Sequence, residues 1–118
     1  AVYKTLVVLP PELGKKPLLV MIPSDAQLDL KKLAVAVGAK KIRMASQREA
    51  EELTGLQVGG ISAVTLLNKG FTVYIDRAAT KLDRICVSAG KRGLQLWLAA
   101  ADLIKLTGAR PIDVASDL

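Results

Sequence analysis

Three short stretches hold residues able to do chemistry. In "QVGGIS" (57–62), Gly59 and Gly60 stand side by side. Glycines there admit left-handed backbone and let another molecule approach the main-chain N–H groups, or they simply punctuate a turn. "VSAGKRG" (87–93) joins the Ser88 hydroxyl and Gly90 to the cations Lys91 and Arg92. Successive N–H groups in such a turn form an anion-binding concavity, and the cations add charge beside it. The plainer alternative is a hairpin with a solvated tip. Lys4, inside the apolar run "VYKTLVV", either snorkels to the surface or enters a polar pocket where its charge is used.

Other chemistry is excluded by residue type. The chain has no histidine, which removes Ser-His and Cys-His nucleophile systems and the usual zinc sites. "GKRG" lacks the glycine spacing of a P-loop and the Ser/Thr after its lysine, so nucleotide hydrolysis has no support. Cys86, within Ile85-Cys86-Val87, reads as a buried inert thiol, and Asp76, closing "FTVYID", as the cap of a turn.

The elements that must position these residues are legible from period and punctuation. Val2 to Leu9 and Leu18 to Ile22 read as paired strands around the exposed loop "PPELGKK". Leu30, Leu33, Ala34 and Val37 line one face of a helix that Asp29 caps and Gly38 ends. "KKIRMA" is a short strand candidate, and "SQREAEELTG" a second helix with Ser46 and Glu49 at capping-box spacing and Gly55 as its stop. Beyond the paired glycines, "AVTLL" and "FTVYID" read as strands around Asn68-Lys69-Gly70. "RICVS" and "LQLWLAA" read as strands around "AGKRG", and "ADLIKLTG" is a final helix with Pro111 beyond its end. The whole is one α+β domain over residues 1–118, with a curved, mostly antiparallel mixed sheet or barrel flanked by helices.

Composition narrows the partners. A chain of 118 residues that is 51% hydrophobic supports its own core. A single cysteine, no export signal and no apolar run near the roughly 20 residues that span a bilayer point to a cytoplasmic protein without membrane contact. Seventeen Lys and Arg against eleven Asp and Glu give a net charge of +6, which suits a polyanion such as RNA. No row of aromatics offers to stack bases, so RNA would be held by its phosphates and shape.

Six stretches in order, "VYKTLVV", "LDLKKLAVAVGAKKIRMAS", "EAEELTG", "VGGIS", "VSAGKRGLQL" and "ADLIKLTGA", resemble the YbaK/ProX family of aminoacyl-tRNA deacylases. That family includes the editing domain of bacterial prolyl-tRNA synthetases. The resemblance runs from about residue 2 to residue 109. It implies trans-editing hydrolysis of mischarged aminoacyl-tRNA, of the Cys-tRNA(Pro) or Ala-tRNA(Pro) type, without metal or cofactor and assisted by the substrate's own groups. It maps the catalytic roles onto Lys4, Gly59 and Ser88, and the residues around them, Gly60, Ile61, Ser62, Gly90, Lys91 and Arg92, are the expected substrate-binding set, with Lys91 and Arg92 as phosphate contacts.

The implied partners are the aminoacylated acceptor end of tRNA, prolyl-tRNA synthetase, and further copies of the chain through uncovered sheet edges. Family members carry a further segment before the "YKT" strand, whereas this chain starts almost at the strand. The alternative expectation is therefore a catalytically silent, shortened relative that binds tRNA or a protein. Leu56, Ala63 and Gln95 replace the Tyr, Pro and Asp of the YbaK pattern, which bears on amino-acid specificity.

Overall fold

In the computed structural model, which describes residues 1–10 and 16–117, the first strand organises everything else. β1 (Tyr3–Leu9) pairs antiparallel with β2 (Leu18–Pro23), with Lys4 opposite Ile22 and Val8 opposite Leu18. After a short β3 (Ala26–Leu28) and helix α1 (Leu30–Val37) comes β4 (Arg43–Met44), antiparallel to the far edge of β1. Helix α2 (Gln47–Thr54) leads through the paired glycines to β5 (Thr72–Asp76), which runs parallel to β2.

A 3₁₀ turn (Arg77–Lys81) follows, then the hairpin of β6 (Arg84–Ser88) and β7 (Gln95–Ala99), and helix α3 (Ala100–Thr107). β8 (Arg110–Ile112) closes the sheet in the order β4-β1-β2-β5-β8, and β9 (Ala115–Asp117) pairs with β3. The α+β class and the mixed, mainly antiparallel pairing hold. The sheet is open rather than a barrel, because its edges are the short strands β4 and β8, which do not pair with each other.

Alternation along the strands gives the sheet two buried faces. Tyr3 and Val7 join Leu19, Met21, Val73 and Ile75 in a core that also receives Ala50, Ile61, Ile85, Val87 and Leu103. On the other face Val8, Val20, Ile22 and Tyr74 pack with Leu33 of α1 and with Val114. The helices start and stop as their punctuation indicates: Asp29 accepts from the Lys32 N–H at 3.1 Å, and Gly38 ends α1 in left-handed backbone at φ 71°. Ser46 and Glu49 form the reciprocal capping box, and Arg43 grips Glu49 with two bonds of 2.7 and 2.8 Å, tying β4 to α2. Arg43 first, then the Ser46 N–H, hold the Glu49 carboxyl down at about 2.

Some segments differ from expectation. "AVTLL" is a run of turns rather than a strand. The Ser62 hydroxyl accepts from the Thr65 N–H at 3.3 Å, the Thr65 hydroxyl returns a bond to the Ser62 carbonyl, and Ala63 and Leu66 are buried one turn apart. Its apolar residues reach the core without a ladder partner. Pro111 sits within β8, an edge position that needs no N–H from it. The loop "PPELGKK" lies largely outside the described residues. Among the described residues, no helix is long and apolar enough to cross a membrane.

Asp76 is the one buried carboxylate among the described residues. Its Oδ2 accepts from the Ala78 N–H at 3.1 Å, while Oδ1 accepts from Val114 and Ala115 at 3.1 and 2.9 Å, fastening the 3₁₀ turn and the path between β8 and β9 to the end of β5. Nearby, the Tyr3 hydroxyl is buried without a hydrogen-bond partner among the described residues. Burial first, and the Asp76 charge second, push its pKa from 10.0 up to about 12.

Two outcomes follow. Asp76→Ala orphans three N–H groups and should lower the urea-unfolding free energy by about 3 kcal/mol or more, with Asp76→Asn intermediate because one oxygen still serves Val114 and Ala115. The neutral Tyr3 phenol keeps its proton more tightly when folded, so its contribution is complete below pH 10 and is lost as pH rises toward 12. The loss amounts to about 3 kcal/mol, and unfolding of Tyr3→Phe across the same pH range should lack it.

Candidate active site

The hairpin β6–β7 carries the second of the three stretches. Ser88 stands opposite Gln95 at the open end of the ladder, and the turn is closed by the Ala89 N–H to the Leu94 carbonyl at 2.9 Å and by the Leu94 N–H to the Lys91 carbonyl at 3.1 Å. Gly90 takes φ 99°, which a side chain rarely tolerates, and a β-carbon there would stand 3.1 Å from Thr65 Cγ2. Its N–H lies 3.5 Å from the Ser88 hydroxyl. Lys91 and Arg92 are exposed at the tip.

The "VGGIS" stretch is laid directly on this turn. A β-carbon on Gly60 would fall 2.9 Å from the Arg92 nitrogen and from the Lys91 carbonyl carbon, so main chain meets main chain with no room for any side chain. Arg92 reinforces the contact by donating through Nε to the Val58 carbonyl at 2.7 Å. From the other side, Glu51 of α2 accepts the Val58 N–H at 2.8 Å. Gly59 is exposed with φ 95°, and its α-carbon faces the Arg92 stem.

Gly60, by contrast, is buried, and its N–H donates to the Gln57 carbonyl at 2.8 Å. The Gly60 N–H is thus spent on its own tight turn and drops out of the expected pair of open donors. Ile61 packs in the core, and the fully buried Ser62 uses its hydroxyl on Thr65. Both contribute to the site through its scaffold.

Lys4 reaches the same region through strand pairing. An isolated parallel bridge joins Val2 to Cys86, and the Cys86 N–H donates to the Ala1 carbonyl at 2.9 Å. The bridge is isolated and no ladder continues it among the described residues, but β1 and β6 lie in contact, and Lys4 is on the face of β1 turned away from the core that buries Tyr3, Ile85 and Val87. Lys4 is half-buried, and Cys86 is fully buried as a free thiol.

The structure thus brings Gly59, Gly60, Ser88, Gly90, Lys91 and Arg92 together by direct contact, with Lys4 on the strand β1 that lies against β6. Sequence reasoning did not single out Glu51, Gln57 and Thr65, which hold the two turns in place. Thr65, a polar residue within "AVTLL", was the available signal.

The arrangement is an electropositive, glycine-lined bend beside a lysine and a serine, suited to an acyl group attached to a phosphate-bearing polymer. Comparison with known proteins agrees. The model of the aminoacyl-tRNA editing domain matches residues 1–106. EbsC of Enterococcus faecalis, described as a candidate Cys-tRNA(Pro)/Cys-tRNA(Cys) deacylase, is 37% identical over 115 residues, spanning 98% of this chain and 68% of that protein. ProXp-y of Escherichia coli K12, a multifunctional Ser/Thr-tRNA deacylase, is 30% identical over 88 residues, or 75% of this chain and 53% of its own length. A crystal structure described as a candidate trans-editing enzyme for prolyl tRNA synthetase superposes with a TM-score of 0.83 at 28% identity, covering 98% of this chain and 70% of that one. The chain belongs to the aminoacyl-tRNA editing domain family, the YbaK type that its six ordered motifs resemble.

Proposed function

We propose that this editing domain acts in trans, hydrolysing the ester that joins a wrongly attached amino acid to tRNA(Pro), with cysteinyl and alanyl esters as its substrates. The observation that carries the reading is the main-chain contact of Gly60 with Lys91 and Arg92, which sets the exposed Gly59 against the Arg92 stem beside the cationic turn. Water adds to the ester carbonyl carbon, the carbonyl oxygen gains negative charge, and the Gly59 N–H donates to it. The bond from that carbon to the ribose oxygen then breaks, and the ribose oxygen leaves with a proton. Lys4 steadies the developing charge or the terminal phosphate, and Ser88 orients the acyl end.

With no imidazole in the chain, proton transfer falls to the substrate's neighbouring hydroxyl. In a cysteinyl ester the thiol sulfur can attack the carbonyl carbon first; the bond to the ribose oxygen breaks, that oxygen leaves with the thiol's proton, and water then opens the cyclic thioester to free cysteine. The mechanism asks positioning and electrostatics to do the catalysis, and needs no metal. Lys91 and Arg92 take acceptor-stem phosphates, and association with prolyl-tRNA synthetase in the cytoplasm belongs to the same proposal.

Loss of the ester from Cys-, Ala- and Ser-charged tRNA(Pro) tests the reading. The native protein should release cysteine or alanine, and Lys4→Ala should lower kcat about 10²-fold. Gly60→Ala should cost a similar factor by forcing the two turns apart, since displacement of about 1 Å is enough. Release from none of the three would refute the enzymatic claim, and retained tRNA binding would then identify a silent relative.

A further inference from the structure

Of the four aromatic side chains, Tyr3 and Tyr74 are buried and Phe71 is half-buried, whereas Trp97 is 51% exposed in the middle of β7. An edge strand gains nothing from presenting so large an apolar ring to water. Its register explains the placement. Trp97 stands opposite Cys86, which is bridged to Val2, while Gln95 stands opposite Ser88, and β6 lies in contact with β1, the strand of Lys4. Alternation puts Trp97, Gln95 and Ser88 on the hairpin face turned away from Ile85 and Val87, and Lys4 on the β1 face turned away from Tyr3, and Trp97 is a diagonal neighbour of Ser88, about 7–8 Å away. The Arg84 guanidinium sits 5.7 Å from the Trp97 ring centre, which fixes the ring and adds a cation beside it.

We infer that Trp97 is a base-stacking platform for the terminal adenosine of the tRNA, recognising the nucleotide whose ribose bears the ester. The inference rests on the editing reading, because an ester held at Gly59, Ser88 and Lys4 carries its adenine about one nucleotide's reach away. A base offers an uncharged π-face to the ring, and Arg84 and Lys4 match the phosphate and the net charge of +6. A single ring suits one terminal base, whereas a general single-strand binder needs a row.

Trp97 is the only tryptophan, so its emission reports this site alone. Titration of the native protein with the oligoribonucleotide CCA should quench it saturably, and the same strand with an abasic 3′ end should not. With labelled CCA, Trp97→Leu should bind about tenfold more weakly, while Trp97→Phe stays within about threefold. Leucine still covers Cys86, so a merely structural ring predicts no such difference. Equal CCA binding by Trp97→Leu would overturn the inference. So would emission that responds only to protein concentration, which would assign the ring to contact between copies. Charged tRNA separates the two claims. A native protein that is quenched by CCA but releases no amino acid removes the editing reading and keeps the platform. Deacylation with unchanged KM in Trp97→Leu removes the platform and keeps the reading.

Discussion

The site depends on one close approach: the main chain of Gly60 against that of Lys91 and Arg92, at a distance where no β-carbon fits. Such a contact has no adjustable side chain in it, so it transmits position rigidly. It explains why Arg92 points its Nε at the Val58 carbonyl, why Gly90 lies on Thr65, and why Gly59 is held open in left-handed backbone. The Arg92 cation and the glycine bend are thereby fixed as one unit, with Lys91 next to them in the turn, which suits electrostatic preorganisation in a site without a catalytic imidazole.

The frame behind that unit is β1. Its alternation sends Tyr3 and Val7 into one core and Leu6 and Val8 into the other, leaving Lys4 at the end where β6 joins. Asp76 secures the opposite border by accepting three main-chain N–H groups, so β8 and β9 are tied to β5. The same burial that makes Tyr3 a core residue pushes its phenol up to about 12, a neighbour of Lys4 in sequence with the opposite relation to solvent.

Much of this was legible in the residues. Asp29, Ser46 with Glu49, and the glycines at 38, 55 and 108 bound the helices because capping chemistry is local. The strand pairs β1–β2 and β6–β7 were likewise readable, since short loops favour neighbouring strands. What escaped was long-range. "AVTLL" has strand composition, yet Ser62 and Thr65 close turns within it, and the parallel partners β5 and β8 lie far apart in the chain. The burial of the Gly60 N–H in its own turn, and the docking of one glycine stretch on another, have no periodic signature. Trp97 has the sequence signature of a strand residue alone; its nearness to Ser88 and to the strand of Lys4 comes from the β6–β7 register and the contact of β6 with β1, which are long-range.

The most direct measurement is the position of a non-hydrolysable cysteinyl adenosine, amide-linked at the 3′ carbon, bound to the native protein. The account predicts its acyl oxygen at the Gly59 N–H with the Lys4 ammonium turned toward it. Occupancy instead of the cleft of about 430 Å³ between α1 and β5, lined by Leu18, Val37, Ile42 and Tyr74, or a Lys4 ammonium directed away from the ligand, would contradict it.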